Sequence, residues 1–257
     1  MNATASCHFS FDIVAWRASS SRVASVEAWQ QWANDAAFVE TQPDYKPELT
    51  FLPALQRRRL GKAARLVCDA AWQLAEHYPD SALVFASHDG EINRSFELWL
   101  ELMKTQTVSP TSFGLSVHNA QVGQWSMLRQ DRSEHTALAV GDDGLETALA
   151  EAYALLQEGA KQVLLVLADD PLLAEYAVAA QRAPMPYALA MVLQQGQQYT
   201  LSLFSHSHPN PAQSAPYWGA LDWIRFMLTD TTEQKRYYGQ RYWQWQKNLS
   251  FNTQGNP

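Results

Sequence analysis

Several classes of protein are excluded by what this chain has little of. Two cysteines, Cys7 and Cys68, in 257 residues give neither a disulfide framework nor the paired spacing of a zinc site, and they fit a reducing compartment. Basic residues are in deficit, 19 Lys and Arg against 26 Asp and Glu for a formal charge of −7. That balance argues against the phosphate-binding surface a nucleic-acid protein needs. No apolar run approaches the roughly 20 residues of a membrane-crossing helix. The opening MNATASCHFSFDIVAW lacks the basic start and continuous apolar core of a secretory leader. Repeats and low-complexity tracts are absent. The expectation is a cytoplasmic protein with no nucleic-acid partner, no membrane span, no metal and no cofactor.

Core-forming material is plentiful. With 47% hydrophobic residues and 10 Trp, the chain can bury the core of one domain or one and a half. Its organising stretch runs from Glu134 to Asp170. His135 to Val140 reads as a short buried strand, Gly141 breaks it, and Asp142 is placed to cap a helix. Leu145, Ala148, Leu149, Ala152, Tyr153 and Leu156 then recur at helical spacing, and Gly159 supplies a left-handed stop. Val163 to Ala168, apolar throughout, reads as a strand covered on both faces. The result is strand, sharp turn, helix, strand, with Gly-Asp-Asp-Gly in a turn where α/β enzymes often hold a nucleophile.

Earlier in the chain, Phe9 to Trp16 alternates as a strand suited to a sheet edge. Glu27 to Tyr45, with Trp29 and Trp32 as packing anchors, reads as helix then loop. Leu55 to Tyr78 reads as one long helix opened by Arg57, Arg58 and Arg59, against its dipole, so that an acidic partner is required. Ala82 to Ala86 is a strand, followed by the turn Ser87, His88, Asp89, Gly90, Glu91 and a helix through Lys104. Asn119 is placed to cap a further helix. Beyond Asp170, a short helix and a proline-marked loop lead to a strand, Tyr187 to Leu193. Gln198 to Ser205 is expected to pair with it as a hairpin through Gln195 and Gly196. Residues 206–216, including His206 and His208, read as a polar linker. After it come a helical apolar set from Trp218 to Leu228 and the mixed basic and aromatic run KRYYGQRYWQWQK. Alternating strands and helices favour an α/β layered fold.

Two stretches together carry a family resemblance, SPTSFGLSVHNAQVGQW from Ser109 to Trp125 and GDDGLETALAEAYALLQEGAKQVLLVLADD. The chain resembles the N-terminal half of a β-ketoacyl synthase, over roughly Phe9 to Leu193. The resemblance implies the N-terminal half of a thiolase-type fold, a mixed sheet with helices on both faces, over residues 1–205. A linker and an aromatic-rich C-terminal extension would fill residues 206–257. Counted from Asn119, the family's nucleophilic Cys falls on Asp142, and a carboxylate cannot take up an acyl group by thioester exchange. No catalytic residue is therefore expected. A ketosynthase-like chain without its nucleophile is similar to the chain-length factors of polyketide systems, and this shortened form to those of aryl polyene clusters. That likeness implies a heterodimer with a full-length β-ketoacyl synthase, an acyl carrier protein as a further candidate partner, and a strand containing Ala137 and Ala139 that joins two sheets across a two-fold. His88, Asp89, Phe113, Val117 and Asn119 would then lie at the partner's acyl tunnel.

Each site has a plainer structural reading. Asp142 and Asp143 serve as helix cap and first-turn carboxylate, and no third ligand lies at metal spacing from them. Cys68 reads as core and His118 as a packed turn residue. The aromatic tail either covers a sheet face or docks an acidic carrier protein through Lys235, Arg236 and Arg241. Two rivals to the partner-subunit reading are a stand-alone acyl hydrolase or acyltransferase using Asp142 or Cys68, and a pure scaffold.

Overall fold

The computed structural model describes residues 4–180, 183–205 and 218–248. Eight strands form one sheet. They are β1 (Cys7–Ser20), β2 (Ala82–Ser87), β3 (His135–Ala139), β4 (Val163–Asp169), β5 (Tyr187–Gln195), β6 (Tyr199–Ser205), β7 (Glu233–Tyr238) and β8 (Arg241–Lys247). Their order is β3-β2-β4-β5-β1-β6-β8-β7. The first three are parallel and every other pairing is antiparallel. The helices are α1 (Val26–Asn34), α2 (Ala54–Arg59), α3 (Lys62–His77), α4 (Ile92–Thr105), α5 (Pro110–Gly114), α6 (Ala120–Arg129), α7 (Gly144–Gln157) and α8 (Gly219–Leu228).

The strand period of two divides the core between two faces. Val84, Leu165, Leu189 and Met191 meet α7, α8 and α1 on one side, with Leu145, Leu149, Trp29 and Trp223. Phe85, Leu164, Val166 and Val192 meet α3 and α6 on the other, with Leu66, Ala70 and Trp125. The mixed sheet with helices on both faces is as expected, and so are α7, β4 and Gly159, whose φ of +111° is the left-handed stop.

Four local expectations are corrected. Strand β1 is central, paired to β5 through its C-terminal half and to β6 through its N-terminal half. For the same reason β5 and β6 do not form a hairpin. The chain leaves one side of β1 at Gln195, crosses it opposite Asp12, and resumes on the other side at Tyr199. The crossing requires Gly196, since a Cβ there would stand 2.0 Å from the Asp12 carboxylate, whose Oδ1 accepts from Gln198 N at 2.8 Å. The long helix is broken at Leu60 and Gly61. Arg57, Arg58 and Arg59 therefore close α2, where the dipole favours them. Asn119 stands at the start of α6 but makes no side-chain cap bond.

The C-terminal aromatic run does not lie over a sheet face but extends the sheet as β8 and β7, with its Trp side chains packed under α8. β8 pairs with β6, and Trp243 and Trp245 are buried with Trp223 and Phe226. Of the cations offered for docking, Arg236 faces Asp222 at 2.6 Å and Lys235 faces Glu233 at 3.7 Å, while Arg241 is held by Asp143. His206 and His208 lie outside the described residues.

Candidate functional site

Two turns meet at the C-terminal ends of the parallel strands, where open α/β sheets place their chemistry. The turn after β2 is fixed by Asp169, the last residue of β4 and 1% exposed. Its Oδ1 accepts from Ser87 Oγ at 2.8 Å, His88 N at 2.8 Å and Asp89 N at 3.0 Å, and its Oδ2 from Tyr187 OH at 2.8 Å. Burial holds the Asp169 carboxyl above its ordinary range despite these donors. Gly90, at φ +55°, completes the turn in a conformation side chains disfavour. It lets His118 approach, for a Cβ at Gly90 would lie 3.0 Å from His118 Nδ1. His88 Nδ1 stands 3.1 Å from Asp89 Oδ1, and that contact raises the imidazole above its usual range.

The turn after β3 is joined to the first by Val140 N, which donates to Ser87 O at 3.1 Å. Here the expected cap is corrected. Asp142 is exposed and, among the described residues, makes no side-chain hydrogen bond, and Asp143 stands at the N-cap position without a side-chain cap bond. The Asp143 carboxylate instead accepts from Arg241 through Nε and Nη2, both at 3.0 Å, and from Trp243 Nε1 at 3.3 Å. One turn further along α7, fully buried Glu146 accepts from Trp245 Nε1 at 2.9 Å and Tyr238 OH at 3.3 Å. The C-terminal hairpin thus grips the first turn of α7.

Sequence reasoning missed Asp169 and Glu146. An apolar strand ending in Asp was a signal for the first. Nothing local marked the second.

Of the residues expected at a tunnel, His88, Asp89, Val117 and Asn119 share this end of the sheet. His88 and Asp89 are half-buried, and Val117 and Asn119 flank His118 beside Gly90. Phe113 on α5 and Val117 are open to solvent at 63% and 43%, so neither is a core residue of this chain. Trp99, Leu102 and Met103 on α4 are exposed as well. Ala137 and Ala139 lie on β3, at one end of the sheet. Asp142 has no hydrogen-bonded base, and burial of Cys68 on α3 pushes its thiol up to about 12, far from a reactive thiolate. Among the described residues no group of three or more His, Cys, Asp or Glu could hold a metal ion, and no helix is long and apolar enough to cross a membrane.

Comparison with known proteins places this geometry. The structure is similar to a chain of the "Ketosynthase (ApeO) in Complex with its Chain Length Factor (ApeC) from Xenorhabdus doucetiae", at TM-score 0.79 and 26% identity over 93% of this chain and 100% of that one. It shares its fold with the ishigamide ketosynthase/chain length factor, at TM-score 0.58 and 13% identity over 76% of this chain and 67% of that one. It does so too with the AntDE:AntF complex of a type II polyketide acyl-carrier protein and its ketosynthase, at TM-score 0.55 and 12% identity over 80% and 72%. No curated protein matches. The family model for the β-ketoacyl synthase N-terminal domain matches residues 29–246, a span that takes in the paired turns, the helix behind Asp142 and the hairpin that grips it, and the chain belongs to that family.

Proposed function

We propose that this chain is a non-catalytic, chain-length-factor-like subunit that pairs with a full-length β-ketoacyl synthase and bounds its acyl tunnel, in elongation of the polyketide or aryl polyene kind. The observation that carries the reading is the free edge of β3. Its residues His135 to Ala139 are half-buried or exposed, among the described residues it pairs only with β2, and it bears no Lys, Arg, Glu or Pro to blunt it. The opposite edge, β7, carries Glu233, Lys235 and Arg236. An unguarded edge strand is a surface made to be covered, and Phe113, Val117 and Trp99 are further apolar side chains left exposed. Likeness to a ketosynthase and chain-length-factor complex over the whole of one of its chains supports a ketosynthase as the cover.

The non-catalytic part of the reading rests on the resemblance, which aligns a carboxylate, Asp142, with the family's nucleophilic thiol. A stand-alone hydrolase has no support from Cys68, whose thiol is pushed up to about 12 by burial, nor from Asp142, an exposed carboxylate whose charge reaches His88 without a hydrogen bond between them. Within the described residues 218–248, α8 covers one face of the sheet and β8 and β7 extend it beyond β6. Lys235, Arg236 and Arg241 are each engaged within the chain, so a carrier protein meets the complex elsewhere.

The test is assembly. Co-expression with the full-length ketosynthase should give a 1:1 complex by native mass spectrometry, and the chain expressed alone should self-associate. A monodisperse monomer that ignores the ketosynthase would contradict the reading.

A further inference from the structure

Away from the proposed partner surface, one buried group is left incompletely bonded. Glu146 is 0% exposed. Its Oε1 receives Trp245 Nε1 and Tyr238 OH from the C-terminal hairpin, while its Oε2, also buried, has no hydrogen-bond partner. The charged and titratable groups that act on it are Asp143 at its own turn and Arg236 and Tyr238 on β7, and its own backbone N–H also favours the ionised form. One step further out, Asp142 and Arg241 lie about Asp143, and Asp222 on α8 faces Arg236 and Arg225. The two hairpin arginines are turned to other carboxylates, Arg236 to Asp222 and Arg241 to Asp143. Neither cation forms an ion pair with Glu146.

An ionised carboxylate in that place keeps one bare oxygen in a low-dielectric interior, at a cost far above that of a neutral carboxyl. Protonation removes the net charge and leaves Oε1 free to go on accepting from the hairpin. We propose that Glu146 is a proton-operated latch for the C-terminal hairpin: protonated, it stays buried beneath the seated hairpin; ionised, it bonds Trp245 and Tyr238 more strongly but gains more from reaching water, so the hairpin opens more readily. Desolvation raises the carboxyl to about 7, against about 4.3 for a free glutamate. With the folded value above the unfolded one, the stabilisation is complete below the unfolded value and is lost as pH rises through about 7. Arg241 and Trp243 of the same hairpin hold Asp143, so loosening reaches the turn between β3 and α7. The inference does not depend on the proposed partner.

Hydrogen-exchange mass spectrometry of the full chain, corrected for intrinsic exchange, reads the latch in peptides covering residues 233–247 and 141–147. Linkage through one group with these values predicts about a tenfold loss of protection between pH 6 and pH 8. Glu146→Gln, which keeps an acceptor and cannot ionise, should make protection independent of pH. Flat protection in the wild type, or an unchanged pH dependence in Glu146→Gln, overturns the proposal. Should that variant fail to fold, infrared spectroscopy of wild-type chain with 13C-labelled glutamate decides. A buried protonated carboxyl band that shifts with the label and fades through about pH 7 supports the latch, and its absence at pH 6 overturns it.

Discussion

Replacing Ala137 by Pro separates the two faces of β3. Leu83 N donates to Glu134 O, and Val140 N donates to Ser87 O. With Phe85 opposite Ala137, the parallel ladder directs the backbone groups of Thr136 and Leu138 to β2 and those of His135, Ala137 and Ala139 outward. Proline at 137 therefore deletes an N–H that nothing in the chain uses, and the ring is tolerated on an outward edge position. The cost to folding should stay within about 1 kcal/mol. A partner strand laid on this edge would lose one hydrogen bond and meet the ring, together about 3 kcal/mol, or at least about a hundredfold in affinity. Leu138→Pro is the control, since it removes a bond to Phe85 inside the sheet and should cost about 3 kcal/mol of fold stability. Thermal melts of a solubility-tagged chain and titration against immobilised ketosynthase read the two quantities. Ala137→Pro should also yield more soluble monomer. The reasoning is refuted if Ala137→Pro binds within threefold of wild type, or if it melts as early as Leu138→Pro.

Three further changes test the rest of the account. Gly196→Ala drives a methyl into Asp12 and breaks its bond to Gln198 N, so urea denaturation should show a loss of about 2–4 kcal/mol. In an Asp12→Ala background the same change should cost less than about 1 kcal/mol, and equal costs would remove the crossing contact as the cause. Asp143→Ala releases Arg241 and Trp243 and should cost about 1–2 kcal/mol, discounted because the Arg241 side chain is 52% exposed; Asp142→Ala should stay within about 0.5 kcal/mol, and the reverse ranking would contradict the assignment. In the assembled complex, Phe113→Ala should lengthen carrier-bound products and Val117→Trp shorten them, read by mass spectrometry, with identical distributions counting against a tunnel role.

What could be read from the sequence was set by how local the cause was. The helical period from Leu145 to Leu156 and the unbroken apolar run from Val163 are local, and both elements formed where expected. The break at Leu60 and Gly61 was hidden because apolar spacing continues across it from α2 into α3. Alternation in β1 showed which side chains are buried without showing which strands flank it. Its partners lie some 180 residues away, and an edge position and a hairpin were both inferred where the chain crosses at Gly196. At the site, the His88 and Asp89 turn was visible as strand followed by polar turn. Asp169 and Glu146 were not, since their roles depend on donors 80 to 99 residues distant. Asp142 looked like a cap because helix caps are usually Asp, Ser or Thr, yet the helix starts one residue later and the neighbouring Asp143 is taken by Arg241.

The central claim, a subunit that shapes another enzyme's product without chemistry of its own, is tested most directly by reconstitution. Ketosynthase alone, this chain alone and the two together are given a carrier-bound starter and extender, and products are read by mass spectrometry. The account predicts no turnover by this chain alone, elongation to a defined length only when both are present, and the same length and rate with Asp142→Asn. Turnover by this chain alone that disappears in Asp142→Asn would contradict it.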